Sequence, residues 1–297
     1  MRYNMTVTCT NDILSQYTMK LILRQIFYRL VAGYEYPNTK SAYNQLSKQL
    51  VKARERGDVD ATKFEDRSRE FLGGDFQFNS LEEFVTYQFE TFLDSPNYYA
   101  TKVWTSQPEY VIVWIEKDAL SRVVSTVADE YKVVTCPSRG YASYTYLREA
   151  LARLPEDKEI TILHLADHDP SGLNMTRDLE NRISEYSDLD ITVERIALNY
   201  DQVQHYGLPP NPTKPADPRF QGYIAEYGNE CWELDAIEPV ELQRMVSAAI
   251  RNHIDFNIWN QTLEQIRQER EELRTTFSSI RNLLREHEYY APPDSQS

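Results

Sequence analysis

The sequence predicts an α/β protein: a winged helix-turn-helix module, then a parallel-sheet domain, then a helical C-terminal extension. Three observations predict it. From Glu109 onward, apolar strands alternate with amphipathic helices: "YVIVWIEK", "DALSRVVSTVADE", "KVVTCPSRGYAS", "YTYLREALARL", "EITILHLADHDPSG" and "DITVERIAL". Continuous apolar runs suit strands buried on both faces, and strand–helix alternation builds a compact parallel sheet, here over about 109–200. Upstream, "YTMKLILRQIFYRLVA" puts Met19, Ile22, Leu23, Ile26, Phe27, Leu30 and Val31 on one helical face. Lys20, Arg24 and Tyr28 recur every four residues as a polar stripe on that helix. A second, basic helix is expected from Lys40 to Arg56, capped near Thr39 or Ser41 and stopped by Gly57. "DVDATKFEDRSREFLGGDFQFNS" then reads as a short wing, so that helix, turn, basic helix and wing suggest a winged helix-turn-helix. The third observation is the last helix, about 258–287, with Leu263, Ile266, Leu273, Phe277, Ile280 and Leu284 at three- and four-residue steps, broken by Arg270. Its stripe predicts packing against the body of the protein, with a helix-pair dimer contact as the alternative.

These patterns divide the chain into a module at 1–95, a Pro- and Tyr-bearing linker at 96–108, the sheet domain at 109–200 and an extension at 201–297. The linker follows a helix expected over Leu81–Leu93. The extension opens on the Pro-rich loop "YGLPPNPTKPADPRF" and continues through a helix with Pro239 at its first position.

Composition narrows the function classes. The 297 residues suffice for one large or two ordinary cores. No apolar run reaches the roughly 18 residues of a membrane span, and "MRYNMTVTCTND" has no apolar signal core, so a cytoplasmic protein is expected, nucleoid-associated if it meets DNA. Cys9, Cys136 and Cys231 are odd in number and far apart, which suits neither a zinc spacing nor a disulfide framework. The net charge of −14 argues against a uniformly basic coat. Phosphates meet local patches, however, and the span Lys20–Arg69 carries eleven basic residues against six acidic ones. If any part of the chain meets DNA, it is this part.

The chemistry-bearing pattern lies at strand ends. In an open α/β sheet, ligands bind in the crevice outside the carboxyl ends of the strands. Glu116 ends the first strand; Asp167 and Asp169 follow the third, with Pro170, Ser171 and Gly172 leading into a helix. Turn and N-cap chemistry would account for an aspartate in such a place. Three converging carboxylates, though, raise one another's pKa unless a cation offsets them, and Mg²⁺ prefers a few carboxylates plus water and phosphate oxygens. Alternation turns His168 away from that set. Glu233 and Asp235 in "WELDAI" repeat the spacing; structural or capping roles are expected for them, with a second metal as the alternative.

Glu116 followed by the D-H-D of 167–169, in this strand order, resembles the Toprim domain of topoisomerases, primases and some nucleases. "LRQIFYRL", residues 23–30, resembles the catalytic-tyrosine motif of the topoisomerase VI A subunit and the related meiotic double-strand-break transesterase. In that family an Arg stands four residues before the nucleophilic Tyr on a helix of a CAP-like winged-helix domain, and a Toprim domain follows. Here 88 residues separate Tyr28 from Glu116, and 51 separate Glu116 from Asp167. The resemblance covers roughly residues 15–200.

It implies that Tyr28, with Arg24 beside it, attacks a DNA phosphodiester and becomes linked to the 5′-phosphate. Mg²⁺, or Mn²⁺ in its place, would be held by Glu116, Asp167 and Asp169. A phenol near pKa 10 needs such a positive neighbour to act at neutral pH. Lys20, Lys48, Lys52 and Arg54 would anchor double-stranded DNA through its backbone, and Arg139, after the second strand, would reach phosphate. The resemblance further implies a homodimer in which Tyr and metal come from different protomers, and a separate ATPase B-type subunit as partner. The chain itself has no glycine-rich ATP site. With 27 residues before Tyr28, it reads as a minimal, stand-alone relative of the A subunit. Two other readings compete: a Toprim nuclease that hydrolyses DNA or RNA while Tyr28 is structural, and a non-catalytic DNA-binding module.

Overall fold

The structure is a computed structural model that describes residues 2–65, 78–213, 217 and 219–286. In chain order the first helices are α1 (Tyr3–Ser15), α2 (Leu23–Gly33), α3 (Lys40–Glu55) and α4 (Leu81–Asp94). The sheet region follows as β1 (Glu109–Ile115), α5 (Ser121–Glu130), β2 (Val134–Pro137), α6 (Tyr144–Leu151), β3 (Glu159–Leu165), α7 (Pro170–Tyr186) and β4 (Ile191–Ala197). Then come α8 (Tyr200–Tyr206), β5 (Asn211–Pro212), α9 (Phe220–Tyr227), β6 (Glu230–Cys231), α10 (Pro239–Asn252) and α11 (Phe256–Glu286). Among the described residues, no helix is long and apolar enough to cross a membrane.

The chain divides into two compact units. One comprises 1–69 with 109–253, and the other 70–108 with 254–297. Thus α4 and the stretch expected to be a linker group with the long last helix. Within that second unit part of the α11 stripe packs onto 92–105, where Ile266 is buried, Phe277 stacks on Phe92 and Trp259 meets Trp104 edge-on, while Leu263 of the same stripe is exposed. Arg270, which breaks the stripe, donates from Nε to the Tyr99 carbonyl at 2.6 Å.

In the first unit the sheet is fully parallel, ordered β2-β1-β3-β4. The expected α/β class therefore stands. Both faces are covered, as the apolar runs require. Ile112, Trp114, Cys136 and Ile162 pack with Leu147 and Leu151 of α6 and Leu179 and Ile183 of α7. By the two-residue period of a strand, Val113, Ile115, Leu163 and Leu165 face the other way, and all are fully buried. From β1 the chain crosses to β2 on one side, and from β3 to β4 on the other. The order reverses between β1 and β3, so their carboxyl ends flank the crevice of a doubly wound sheet. Register lines those ends up: Ile115 pairs with Leu165 and with Pro137. The N–H of Glu116 donates to the Leu165 carbonyl and that of Ser138 to the Ile115 carbonyl, both at 2.9 Å.

The turn into α7 is equally constrained. Asp169 is its N-cap, its Oδ1 accepting from the Gly172 N–H at 2.6 Å, with Pro170 at the first helical position. A Cβ on Gly172 would stand 2.1 Å from the Asp167 carbonyl oxygen. Gly172→Ala is therefore expected to displace the Asp167 backbone and lose about 1–3 kcal/mol, read as a lower urea midpoint; an unchanged midpoint would contradict the close approach.

The N-terminal part holds α1, α2 and α3 packed together, α1 being a helix that the sequence patterns did not predict. α3 follows expectation, with Thr39 Oγ1 accepting from the Ala42 N–H at 3.1 Å and Gly57 at φ +74° just beyond. The expected polar stripe is shorter than its spacing suggested. α2 begins only at Leu23, because Leu21 is taken into a parallel bridge with Phe64, donating to Lys63 and accepting from Glu65 at 3.0 Å each. Lys20 thus precedes the helix, and the stripe reduces to Arg24 and Tyr28. Most of the expected wing, 66–77, lies outside the described residues.

Candidate active site at the carboxyl edge of the sheet

Glu116 and Asp167 meet across the β1–β3 crevice, where Glu116 Oε2 accepts from the Asp167 N–H at 3.2 Å. Burial raises the Glu116 pKa, and nearby Asp169 adds to the rise. Asp167 is pushed up to about 7, first by burial and then by Glu116 and Asp235 against the opposing pull of Lys117. Its Oδ1 accepts from the Leu234 N–H at 2.7 Å and lies 3.0 Å from Lys117 Nζ. Asp169 gives its Oδ1 to the helix cap. Among the described residues, no three carboxylate, imidazole or thiol groups already converge as a ligand set.

A second acidic pair completes the edge. His168 and Trp232 exchange two backbone hydrogen bonds of 2.9 Å, which lays "WELD" alongside the D-H-D turn. Glu233 and Asp235 are thereby delivered to Lys117, whose Nζ lies 3.1 Å from Glu233 Oε2 and 2.5 Å from Asp235 Oδ2. Burial works against the ammonium charge, but Asp235, Asp167 and Glu233 outweigh it and raise the Lys117 pKa. Glu233 also ion-pairs with Arg24 of α2, so one chain of contacts runs Arg24–Glu233–Lys117–Asp167. Glu233 and Asp235 thus take a structural role as ion-pair partners, without a side-chain cap from Glu233.

His168 itself turns away, as alternation indicated. It is buried among Tyr200, Tyr223, Tyr227 and Trp232, with ring Nδ1 2.9 Å from Tyr223 Oη. Burial, helped by Arg195, lowers its pKa to about 4 and keeps the ring neutral at pH 7.

Tyr28 lies one turn beyond Arg24 and is only 2% exposed. Its hydroxyl accepts from Asn211 Nδ2 of β5 at 2.9 Å, and the chain just before β5 is tied down where Asn38 Nδ2 donates to the Pro210 carbonyl at 2.7 Å. The expectation that Arg24 would activate this phenol needs correcting for the state seen here. Burial and then Glu233 push Tyr28 up to about 12, and the lowering effects of Asn211, Arg24 and Lys117 do not offset them. Glu233 takes up the Arg24 guanidinium that the phenol would need.

Beneath the acidic turn sits Arg195 of β4. Its Nη2 donates to the Asp167 carbonyl at 2.6 Å and the Ala166 carbonyl at 3.0 Å; its Nη1 donates to the Gly172 carbonyl at 3.0 Å and to Thr176 Oγ1 at 2.7 Å. Burial lowers its pKa to about 10, with Glu116, Asp167 and Asp169 pulling the other way.

The expected DNA contacts are scattered. Lys20 and Lys48 are exposed. Lys52 Nζ lies over the Tyr3 ring at 5.9 Å, and the Arg54 guanidinium lies over Phe64 at 4.5 Å. Arg139 adopts φ +53° after β2, 74% exposed, with Nη2 3.1 Å from Asp118.

Counting the edge as a whole, Glu116, Asp167, Asp169, Glu233 and Asp235 face Arg24, Lys117 and Arg195. With all groups ionised, two negative charges are left over, and every donor is oxygen. That is the donor chemistry and charge a hard divalent ion matches. Comparison with known protein families finds no family model that matches this chain, and no curated protein matches it either.

Proposed function

We propose that the chain is a Mg²⁺-dependent DNA-cleaving transesterase of the type IIB topoisomerase A-subunit kind, with a winged-helix module before a Toprim domain. The observation that carries this is the continuous ion-pair chain from Arg24, one turn from Tyr28, to Asp167 at the sheet edge. It joins the two motifs that carry the resemblance.

In this reading Glu116 and Asp167 hold the divalent ion, with Asp169 joining them from the cap; the bound ion would neutralise charge on the phosphate. Lys48, Lys52 and Arg54 on α3 hold the DNA backbone. Tyr28 Oη leaves Asn211, loses its proton and attacks phosphorus. A P–O bond to the tyrosine forms as the bond to the 3′ oxygen breaks, leaving a 5′-phosphotyrosyl link, while the departing 3′ oxygen takes up, through solvent, the proton that the phenol lost and becomes a 3′ hydroxyl. A phosphodiester that drew Arg24 away from Glu233 would free the guanidinium to favour the phenolate. Two such chains in a homodimer give a double-strand break.

A second reading has one observation in its favour. Tyr28 is buried with a raised pKa, as a structural tyrosine would be, and the edge would then serve a metal-dependent nuclease. Supercoiled DNA incubated with the protein and Mg²⁺, then quenched in detergent, separates the two. The expected result is a covalent protein–DNA adduct that Tyr28→Phe and Glu116→Gln both abolish. Free cut ends that persist in Tyr28→Phe would establish the nuclease. DNA binding without cleavage would sink both.

A further inference from the structure

Lys117 directly follows the strand-end Glu116, yet its ammonium lies within the site. Three carboxylates surround it: Asp235 at 2.5 Å, Asp167 at 3.0 Å and Glu233 at 3.1 Å, with only 19% of the side chain exposed. Of the ammonium's three N–H donors, two go to Asp235 and Glu233, and Asp167 adds an ion pair. These three carboxylates gather about a compact positive charge that a side chain supplies. The pocket also has more acceptors than the ammonium can use. Asp235, 2% exposed, keeps Oδ1 buried with no hydrogen-bond partner. Asp167 makes both of its side-chain contacts through Oδ1, which leaves Oδ2 for an ion.

We infer that the Lys117 ammonium is the resident second cation of this site, held by Asp167, Glu233 and Asp235, so that the chain takes one divalent ion rather than two. The inference rests on the metal-dependent reading above and adds to it a division of labour. Two-metal phosphoryl-transfer sites clamp the attacking and leaving oxygens with paired ions. In this chain the position nearer α2 carries a fixed single charge, linked through Glu233 to Arg24. The side of Glu116 takes the exchangeable ion. Lys117 is a positioning residue here, since it acts on the reacting phosphate through the charge and placement of Asp167 and Glu233.

Mn²⁺ counting by calorimetry and electron paramagnetic resonance on the full chain tests this without DNA. Wild type is expected to bind one Mn²⁺ with an uncoupled spectrum, and Lys117→Arg to do the same. Lys117→Met removes the charge and leaves the carboxylates facing one another. It is expected to melt below wild type when metal-free, to gain more in Tm from Mn²⁺ than wild type does, and to bind two spin-coupled ions. Two ions in wild type, or one in Lys117→Met, would overturn the inference and leave the metal-dependent reading intact. Failure of Lys117→Met to fold even in Mn²⁺ would also overturn it, because an ion could then not take the ammonium's place. No Mn²⁺ on wild type at millimolar concentration would instead remove the metal-dependent reading itself.

Discussion

Replacing Arg195 by Met is expected to lower the unfolding free energy by roughly 3–5 kcal/mol, the range for removing one member of a buried charge network. The guanidinium does two jobs at once. It supplies hydrogen bonds to the carbonyls of Ala166, Asp167, Leu198 and Gly172 and to Thr176 Oγ1, closing the turn between β3 and α7. It is also a positive charge near Glu116, Asp167 and Asp169. Met fills the volume but offers neither donor nor charge, so several carbonyls lose partners while the carboxylates lose a counterion. Urea unfolding followed by tryptophan fluorescence measures the loss. A destabilisation below about 1 kcal/mol, typical of an exposed pair, would show that the turn does not depend on Arg195. Lysine should rescue only part of the effect, because a single ammonium cannot serve carbonyls on both sides of the turn.

Arg195 also shows where sequence reading reaches its end. The strand alternation from Glu109 to Ala197 and the acidic residues after β1 and β3 were legible because each depends on local pattern: apolar runs, an N-cap, a proline at the first helical turn. Lys117, Glu233, Asp235, Asn211 and Arg195 acquire their roles through contacts between segments far apart in the chain. The His168–Trp232 bridge that brings Glu233 to Lys117 spans 64 residues, and no periodicity encodes it. One signal was present. An arginine inside "DITVERIAL" is costly in a strand of a buried sheet unless it is fully paired, so it pointed to a buried partner without naming it. The start of α2 was misplaced for a related reason. "YTMKLIL" has helical spacing, but the β bridge of Leu21 to Phe64 uses backbone groups that a helix would have needed.

If the chain is the proposed homodimeric transesterase, Tyr28→Phe and Glu116→Gln placed on opposite chains are expected to leave no cleavage at all. The family resemblance implies that each tyrosine serves its partner's metal edge. In this chain Arg24, one turn from Tyr28, pairs with Glu233 of the same chain, and Tyr28 lies in the field of Glu233 and Lys117. That arrangement favours a tyrosine acting on its own edge. Differently tagged chains, co-expressed and purified as the mixed dimer, decide the matter. If tyrosine and edge work within one chain, the single-variant mixture contains no intact pair. A dimer of wild type with the Tyr28→Phe/Glu116→Gln double variant keeps one intact pair and nicks supercoiled DNA. If they work across the dimer, the outcomes exchange: the single-variant mixture nicks, and the wild-type/double-variant dimer is silent. Each dimer controls for the folding of the other, because both contain the same two substitutions. Nicking by the single-variant mixture alone would mean that the Arg24–Glu233 pair is a resting contact, broken when the tyrosine's helix is handed to the partner chain.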